Sequence, residues 1–281
     1  MAEKQREESP TPCGSGQQDG GLIRSVVIKT NKWKLQTKVL LLSDSRGKEL
    51  LPLVRRYTPE EENIVWEGIS QSGATLEGLQ KKLERASRRS YWDLIIVNGG
   101  ICNLTNRIAT RYIKTLDYKI SKLEETRHEI DTLLNTFGEK IHLCTITPAS
   151  LQKFATLAKS REGEETDIEA EQQSLLGDIQ ELNDHIKSRN IHRDLPTINL
   201  ATNSFTSKLK RQGPKKKRIT KFCDTELEDG VHPSLSLKHT WAQLISSTTV
   251  NIINKLRTRT TTTDSSSDED SDNESWNFKR Q

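Results

Sequence analysis

Two short stretches, far apart in the chain, hold side chains that can do chemistry together. The first is Ser43-Asp44-Ser45-Arg46-Gly47, which follows the apolar run Lys38-Val-Leu-Leu-Leu42 and leads into a helix-period segment. A hydroxyl there sits at a helix N-terminus, where backbone N–H groups and the helix dipole stabilise negative charge. The same residues suit plain capping, in which a Ser or Asp side chain satisfies an orphan N–H. The second is Asp229-Gly230-Val231-His232-Pro233-Ser234, directly before the last helical pattern. An Asp three residues ahead of a His on a tight turn can orient one ring nitrogen and leave the other free as a base. The competing reading is a loop whose Pro233 and Ser234 start a helix while His232 faces solvent.

The elements that must position these residues are legible as alternating patterns. Strands are expected at Lys38–Leu42, Asn63–Trp66, Asp93–Val97, Ile141–Ile146 and Thr197–Leu200. The first, third and fourth are nearly continuous apolar runs, as strands covered on both faces must be. Helix periodicity marks Lys48–Arg56, Thr75–Ala86, Arg111–Phe137, Asp167–Ser188 and Ser236–Leu256. In the third of these, Ile120, Leu123, Ile130, Leu133, Leu134 and Phe137 fall on one face, with Gly138 placed to end the helix. Strands alternating with helices predict a three-layer α/β/α domain, a flavodoxin-like, doubly wound, mostly parallel five-stranded sheet. Chemistry in such sheets sits at the carboxyl ends of the strands. Both reactive stretches fall there.

Taken together, Ser at the end of the first strand and Asp-x-x-His before the last helix resemble the opening and closing signatures of the SGNH (GDSL-type) hydrolases. The resemblance implies Ser45 as nucleophile, Asp229 as orienting acid and His232 as base. After the second strand, Gly68-Ile-Ser-Gln-Ser-Gly73-Ala-Thr75-Leu76 resembles the second family block. It implies the Gly73 N–H, with that of Ser45, as oxyanion-hole donors. After the third strand, Asn98-Gly99-Gly100-Ile101-Cys102-Asn103-Leu104-Thr105 stands where the family has Gly-x-Asn-Asp.

Two departures accompany this match. Ser43 replaces the leading glycine of the first block. Alignment on Gly100 puts Cys102 in place of the oxyanion Asn and Asn103 in place of the Asp. A thiol is a poor donor beside a carboxamide, and loss of one oxyanion donor typically costs about 10²–10³ in rate. Asn103 supplies the donor only if the loop is shifted by one residue. The resemblance runs from Thr37 to Leu256 and implies acyl transfer on a lipid, an acetylated sugar or another small ester. A non-catalytic SGNH-like interaction module is the alternative. Such domains also occur in retroelement reading frames, and the altered blocks, basic loop and polar tails suit that origin.

Between the last expected strand and the Asp-x-x-His loop lies a basic insertion, residues 207–222. It holds Lys208, Lys210, Arg211, Lys215, Lys216, Lys217, Arg218 and Lys221, with Gly213 and Pro214 as a turn signal. Three readings stay open: a solvated loop, a nuclear-localisation signal in Pro-Lys-Lys-Lys-Arg read by an import receptor, or a phosphate-binding hairpin for nucleic acid. Hydrophobic residues make up 32% of the chain and charged ones 29%, a balance lean in core material. The dilution is placed in polar tails, residues 1–22 and 258–281, both expected to be disordered around a domain at 23–257. Net charge is +4, too mild by itself to imply nucleic-acid binding.

Four cysteines without paired or metal-ligand spacing favour a reducing compartment, with Cys144 read as a buried thiol. His142, His185 and His192 have no ligand spacing, so no metal or cofactor is expected. Neither a secretory leader nor a membrane span is expected, which points to a cytoplasmic or nuclear protein.

Overall fold

The computed structural model describes residues 36–109, 114–158, 165–212 and 215–264, all within the unit Leu35–Gln281; the side chains of 108–109, 114, 165–166, 208–212, 215–219 and 260–264 lie outside that description. The expectations for residues 1–22, for Cys13 and for 265–281 therefore fall outside the described residues. Four parallel strands form the central sheet: β1 (Thr37–Ser43), β2 (Ile64–Ser70), β3 (Leu94–Asn98) and β6 (Ile141–Leu143), in the order β2-β1-β3-β6. The chain leaves β1 to one side for β2, then returns past β1 to place β3 on the other. The order therefore reverses at β1, and the crevice at its carboxyl end is the switch point where such sheets hold ligands.

Two helical layers cover this sheet because its strands alternate their allegiance. Leu40 and Leu42 of β1, with Ile95 and Val97 of β3, face one apolar cluster. That cluster is completed by α2 (Leu76–Ser87), α4 (Leu123–Phe137) and α6 (Glu165–His192). Val39, Leu41, Leu94 and Ile96 face the other cluster, against α1 (Leu50–Tyr57) and α7 (Leu235–Asp264). Trp241, Ile245 and Ile252 of α7 are fully buried there. A Leu or Ile buried to this degree contributes about 1.5–3 kcal/mol relative to exposure. The three-layer architecture expected from the alternating patterns is the one observed.

Several elements differ from expectation. The sheet has four strands among the described residues, not five. Thr197–Leu200 makes one backbone bond to the neighbouring chain, from the Thr145 N–H to the Ile198 carbonyl at 3.0 Å. The Thr145 hydroxyl then takes over, accepting from the Ala201 N–H and donating to Asn199 Oδ1, so the ladder stops there. The helix expected from Arg111 begins only at Leu123. Ahead of it β4 (Thr105–Ala109) and β5 (Lys114–Tyr118) pair antiparallel. Within β5, Leu116 and Tyr118 share one face and alternate with Thr115 and Asp117; Leu116 lies in the core and the Tyr118 hydroxyl donates to Asp178 at 2.6 Å. Ser121, at φ 64, breaks the path into the helix, and Ile120 is 76% exposed rather than on the apolar face.

A short helix, α3 (Ile101–Leu104), and α5 (Leu151–Ala158) were not expected. The last helix runs past the boundary expected at 257. Arg257 ties it to Thr37, and Arg259 ties it to the Arg193 and Asp194 carbonyls. The basic insertion is an antiparallel hairpin of β7 (Phe205–Gln212) and β8 (Lys215–Phe222). No helix among the described residues is long and apolar enough to cross a membrane. Leu42, fully buried on β1, and exposed Ile120 give a direct check on this layering. Leu42→Ala is expected to cost about 2–5 kcal/mol and Ile120→Ala under about 0.5 kcal/mol, measured by denaturant unfolding.

Candidate active site

The carboxyl end of β1 is held from both sides. The Gln71 N–H donates to the Ser43 carbonyl at 2.9 Å, and the Asp44 N–H donates to the Asn98 carbonyl of β3 at 3.1 Å. Past this point the chain turns sharply through a single 3-10 turn, Ser45–Gly47, whose first N–H groups lie beyond the ladder. Asp44 caps it, its Oδ1 accepting from the Arg46 N–H at 2.9 Å. Capping thus falls to Asp44, which leaves the Ser45 hydroxyl free of that role. Burial, opposed by Arg46 beside it, raises the Asp44 pKa.

Ser43, in the place of the family's leading glycine, is accommodated from the other end of the same turn. A Cβ on Gly47 would stand 2.0 Å from the Ser43 hydroxyl and 2.3 Å from its Cβ. The turn tolerates one side chain at these two positions, and here it sits on residue 43. Arg46 anchors the turn below. It is buried, and its guanidinium donates to the Thr147 carbonyl at 2.5 Å, to the Thr147 hydroxyl, and to the Pro148 carbonyl at 3.1 Å. Sequence reading missed this residue; the only signal was a cation directly after Ser45, in a stretch of polar and charged residues that gives no hint of burial.

The second stretch lies in the loop before α7. Gly230 has φ 82, and a Cβ there would meet the Ser150 carbonyl at 2.6 Å, so only glycine lets the loop pack on α5. Asp229 works twice. Its Oδ1 accepts from the Val231 and His232 N–H groups at 3.0 and 2.8 Å, which shapes the loop. Its Oδ2 accepts from His232 Nδ1 at 2.9 Å. That bond assigns the proton to Nδ1 and leaves Nε2 as the acceptor facing Ser45 Oγ at 3.2 Å. Burial opposes ionisation of Asp229, but the hydrogen bonds from the His232 ring and the two N–H groups outweigh it and hold the carboxyl below the usual range. Ser45, His232 and Asp229, separated by most of the domain in sequence, stand in one hydrogen-bonded row.

Around that row the expected oxyanion donors are placed unevenly. The N–H groups of Ser45 and Gly73 have no acceptor among the described residues. Asn103 lies elsewhere. It is buried, its Oδ1 accepts from the Leu76 N–H at 2.9 Å, and its Nδ2 donates to Glu129 at 2.7 Å. It therefore caps α2 and bridges to α4 instead of lining the Ser45 cavity, which corrects the expectation drawn for it. The Cys102 thiol is half-buried, and burial pushes its pKa up to about 11. Beneath the turn, Ser43 Oγ, Asp44 Oδ2 and Asn98 Nδ2 are buried without a partner.

Of the eight basic residues of the insertion, Lys221 is described with its side chain and is exposed; the other seven are placed by backbone register only. His142 is buried in β6, while His185 pairs with Asp131 at 3.0 Å. Among the described residues, no three of His, Cys, Asp and Glu are grouped to hold a metal ion.

Two measurements test this construction. Gly47→Ala is expected to destabilise the fold by about 1–3 kcal/mol through overpacking, and adding Ser43→Gly should restore most of the loss. A denaturant midpoint series on the single and double variants decides it. The second concerns acid. The folded pKa of Asp229 lies below its unfolded value, so its contribution to stability is complete above about pH 4–5 and is lost as pH falls further. The fall in Tm between about pH 5 and pH 3 should be shallower in Asp229→Asn than in the unmodified protein.

No family model matches the chain, and no curated protein matches it by sequence. Solved structures do. A lipase/acylhydrolase from Enterococcus faecalis aligns at 18% identity over 77% of this chain and 96% of its own, with a TM-score of 0.50. A GDSL-like lipase from Bacteroides thetaiotaomicron aligns at 14% identity over 76% of this chain and 88% of its own, with a TM-score of 0.49. An acetylxylan esterase from Geobacillus stearothermophilus, solved as a catalytic mutant, aligns at 14% identity over 78% and 96%, with a TM-score of 0.47. With its parallel sheet in the order β2-β1-β3-β6 between two helical layers, the chain has the fold of the SGNH (GDSL-type) hydrolases.

Proposed function

We propose that the protein is a serine ester hydrolase working by acyl transfer. The observation that carries this reading is the continuous row from Asp229 Oδ2 to His232 Nδ1 at 2.9 Å and from His232 Nε2 to Ser45 Oγ at 3.2 Å. Distances of this order are what a base needs to accept a proton from a nucleophile. Ser45 Oγ attacks the ester carbonyl carbon while its proton passes to His232 Nε2. The charged imidazolium is stabilised by Asp229, which stays ionised. The N–H groups of Ser45 and Gly73 hold the oxyanion. As the tetrahedral intermediate collapses, the C–O bond breaks and Nε2 returns the proton to the leaving alcohol. Water, activated by the same imidazole, then releases the acid from Ser45.

With Asn103 engaged by Leu76 and Glu129, this site runs on two oxyanion donors, which places its rate about 10²–10³ below that of a site with a third.

A second reading draws on the β7–β8 hairpin. Its register sets Lys210 opposite Lys217 and Arg211 opposite Lys216. Like charges directly opposite one another destabilise a strand pair, and a polyanion laid along the hairpin relieves that repulsion. The partner in this reading is nucleic acid; an import receptor for the same Lys-rich run is the targeting variant of it. In this reading the protein is an SGNH-like binding module, of the kind that retroelements carry.

Hydrolysis of short-chain nitrophenyl esters separates the two. Activity that falls by at least about 10³ in both Ser45→Ala and His232→Ala supports the hydrolase. Activity that persists unchanged in those variants, or is absent from the unmodified protein, overturns it and passes the function to the hairpin.

A further inference from the structure

The cavity at Ser45, about 330 Å³ in volume, is built almost entirely of polar and charged side chains; Pro233 is the one apolar contribution to its wall. Such a wall offers a long acyl chain little beyond Pro233 and the stems of charged side chains, and a buried alkyl chain gains about 0.8 kcal/mol per methylene only against apolar surface. A cavity of this size and lining favours a short acyl part. More telling is the balance of charge. Four cations line the cavity, Arg46, Lys48, Arg107 and Lys238, against two carboxylates, Glu49 and Glu228.

The pairings leave two of those cations over. Lys238 sits between both carboxylates, at 2.8 Å from Glu49 and 3.8 Å from Glu228. Arg46 is spent on Thr147 and Pro148. Lys48 and Arg107 remain, both exposed and, among the described residues, neither within ion-pair distance of a carboxylate, although the Lys48 charge is felt by Glu49. Arg107 is set in place by β4, with its guanidinium over the Phe154 ring at 5.4 Å from the centroid. Ser70 and Ser72, exposed hydroxyls at the end of β2, line the same space. These exposed residues form the solvent-facing mouth of the cavity.

We propose that this mouth selects esters whose alcohol part carries an anionic group, recognised by Lys48 and Arg107. The proposal rests on the hydrolase reading for turnover, but the recognition it describes is a binding property and is testable apart from it. Phosphate, sulfate and carboxylate substituents share this chemistry. A cation beside an anion at a solvent-exposed mouth is worth about fivefold in affinity at low salt, and two are worth more than tenfold.

The test compares 4-acetoxybenzenesulfonate with the neutral 4-acetoxybenzenesulfonamide, two acetyl esters matched in size. In the unmodified protein at low salt, kcat/KM for the sulfonate should exceed that for the sulfonamide by about tenfold. The ratio should fall toward one in Lys48→Gln/Arg107→Gln and in high salt. In parallel, Ser45→Ala protein, which cannot turn either ester over, is titrated with both by calorimetry and should bind the sulfonate more tightly by a similar factor. Turnover of both esters at equal kcat/KM overturns the inference and leaves the hydrolase standing. Selective binding of the sulfonate by Ser45→Ala with no turnover by the unmodified protein overturns the hydrolase and leaves the anion site standing. Equal binding with no turnover sinks both.

Discussion

The turn from Asp44 to Gly47 depends on how the end of β1 is clamped. One bond to the Ser43 carbonyl comes from the segment after β2, and one bond from the Asp44 N–H goes to the last residue of β3. With both neighbours fixed, the chain has no extended path left and must reverse within a few residues. That reversal carries Ser45 off the sheet edge, where its hydroxyl meets an imidazole delivered from the far end of the domain. The clamp also explains the crowding of residues 43 and 47, since a tight reversal brings two positions four apart into contact. Arg46, driven inward by the same geometry, fastens the turn to the Thr147–Pro148 backbone after β6. Through these bonds the ends of β1, β2 and β3 and the segment after β6 act as one rigid edge.

His232 reaches that edge by a separate device. Asp229 folds its own loop through two backbone N–H groups before it touches the ring. Loop shape and ring orientation are therefore set by one carboxylate, and Gly230 permits the close packing on α5 that fixes the loop in space. The result is a positioned imidazole on a short loop, held by local bonds at one side and by the start of α7 at the other.

Much of this was legible in the residues. Apolar runs such as Lys38–Leu42 and Asp93–Val97, too short for helices, read as two-sided strands, and their ends mark the edge where Ser45 and His232 meet. The Asp-x-x-His spacing carries its geometry with it, because a carboxylate three residues back on a turn reaches both the backbone and the ring. What escaped were features decided by tertiary contact. Thr197–Leu200 has the composition of a strand, yet Thr145 and Asn199 side chains replace its ladder. The segment around Thr115 to Ile120 reads as the start of a helix by apolar spacing, although Leu116 and Tyr118 also fit alternation. The partner strand β4, not the local pattern, decides between them. Asn103 matched a family position by alignment, but its carboxamide is captured by α2 and α4, which no linear reading reveals.

The bond between His232 and Ser45 closes over 187 residues of chain. Contacts of such span form late, because the entropy of closing the intervening loop is recovered only when the rest of the domain has already packed. The row Asp229–His232–Ser45 is consequently a property of the finished domain and of no fragment of it. A nascent or partly unfolded chain exposes a serine and a histidine with no relation to each other, so their hydrogen bond appears only with the complete fold.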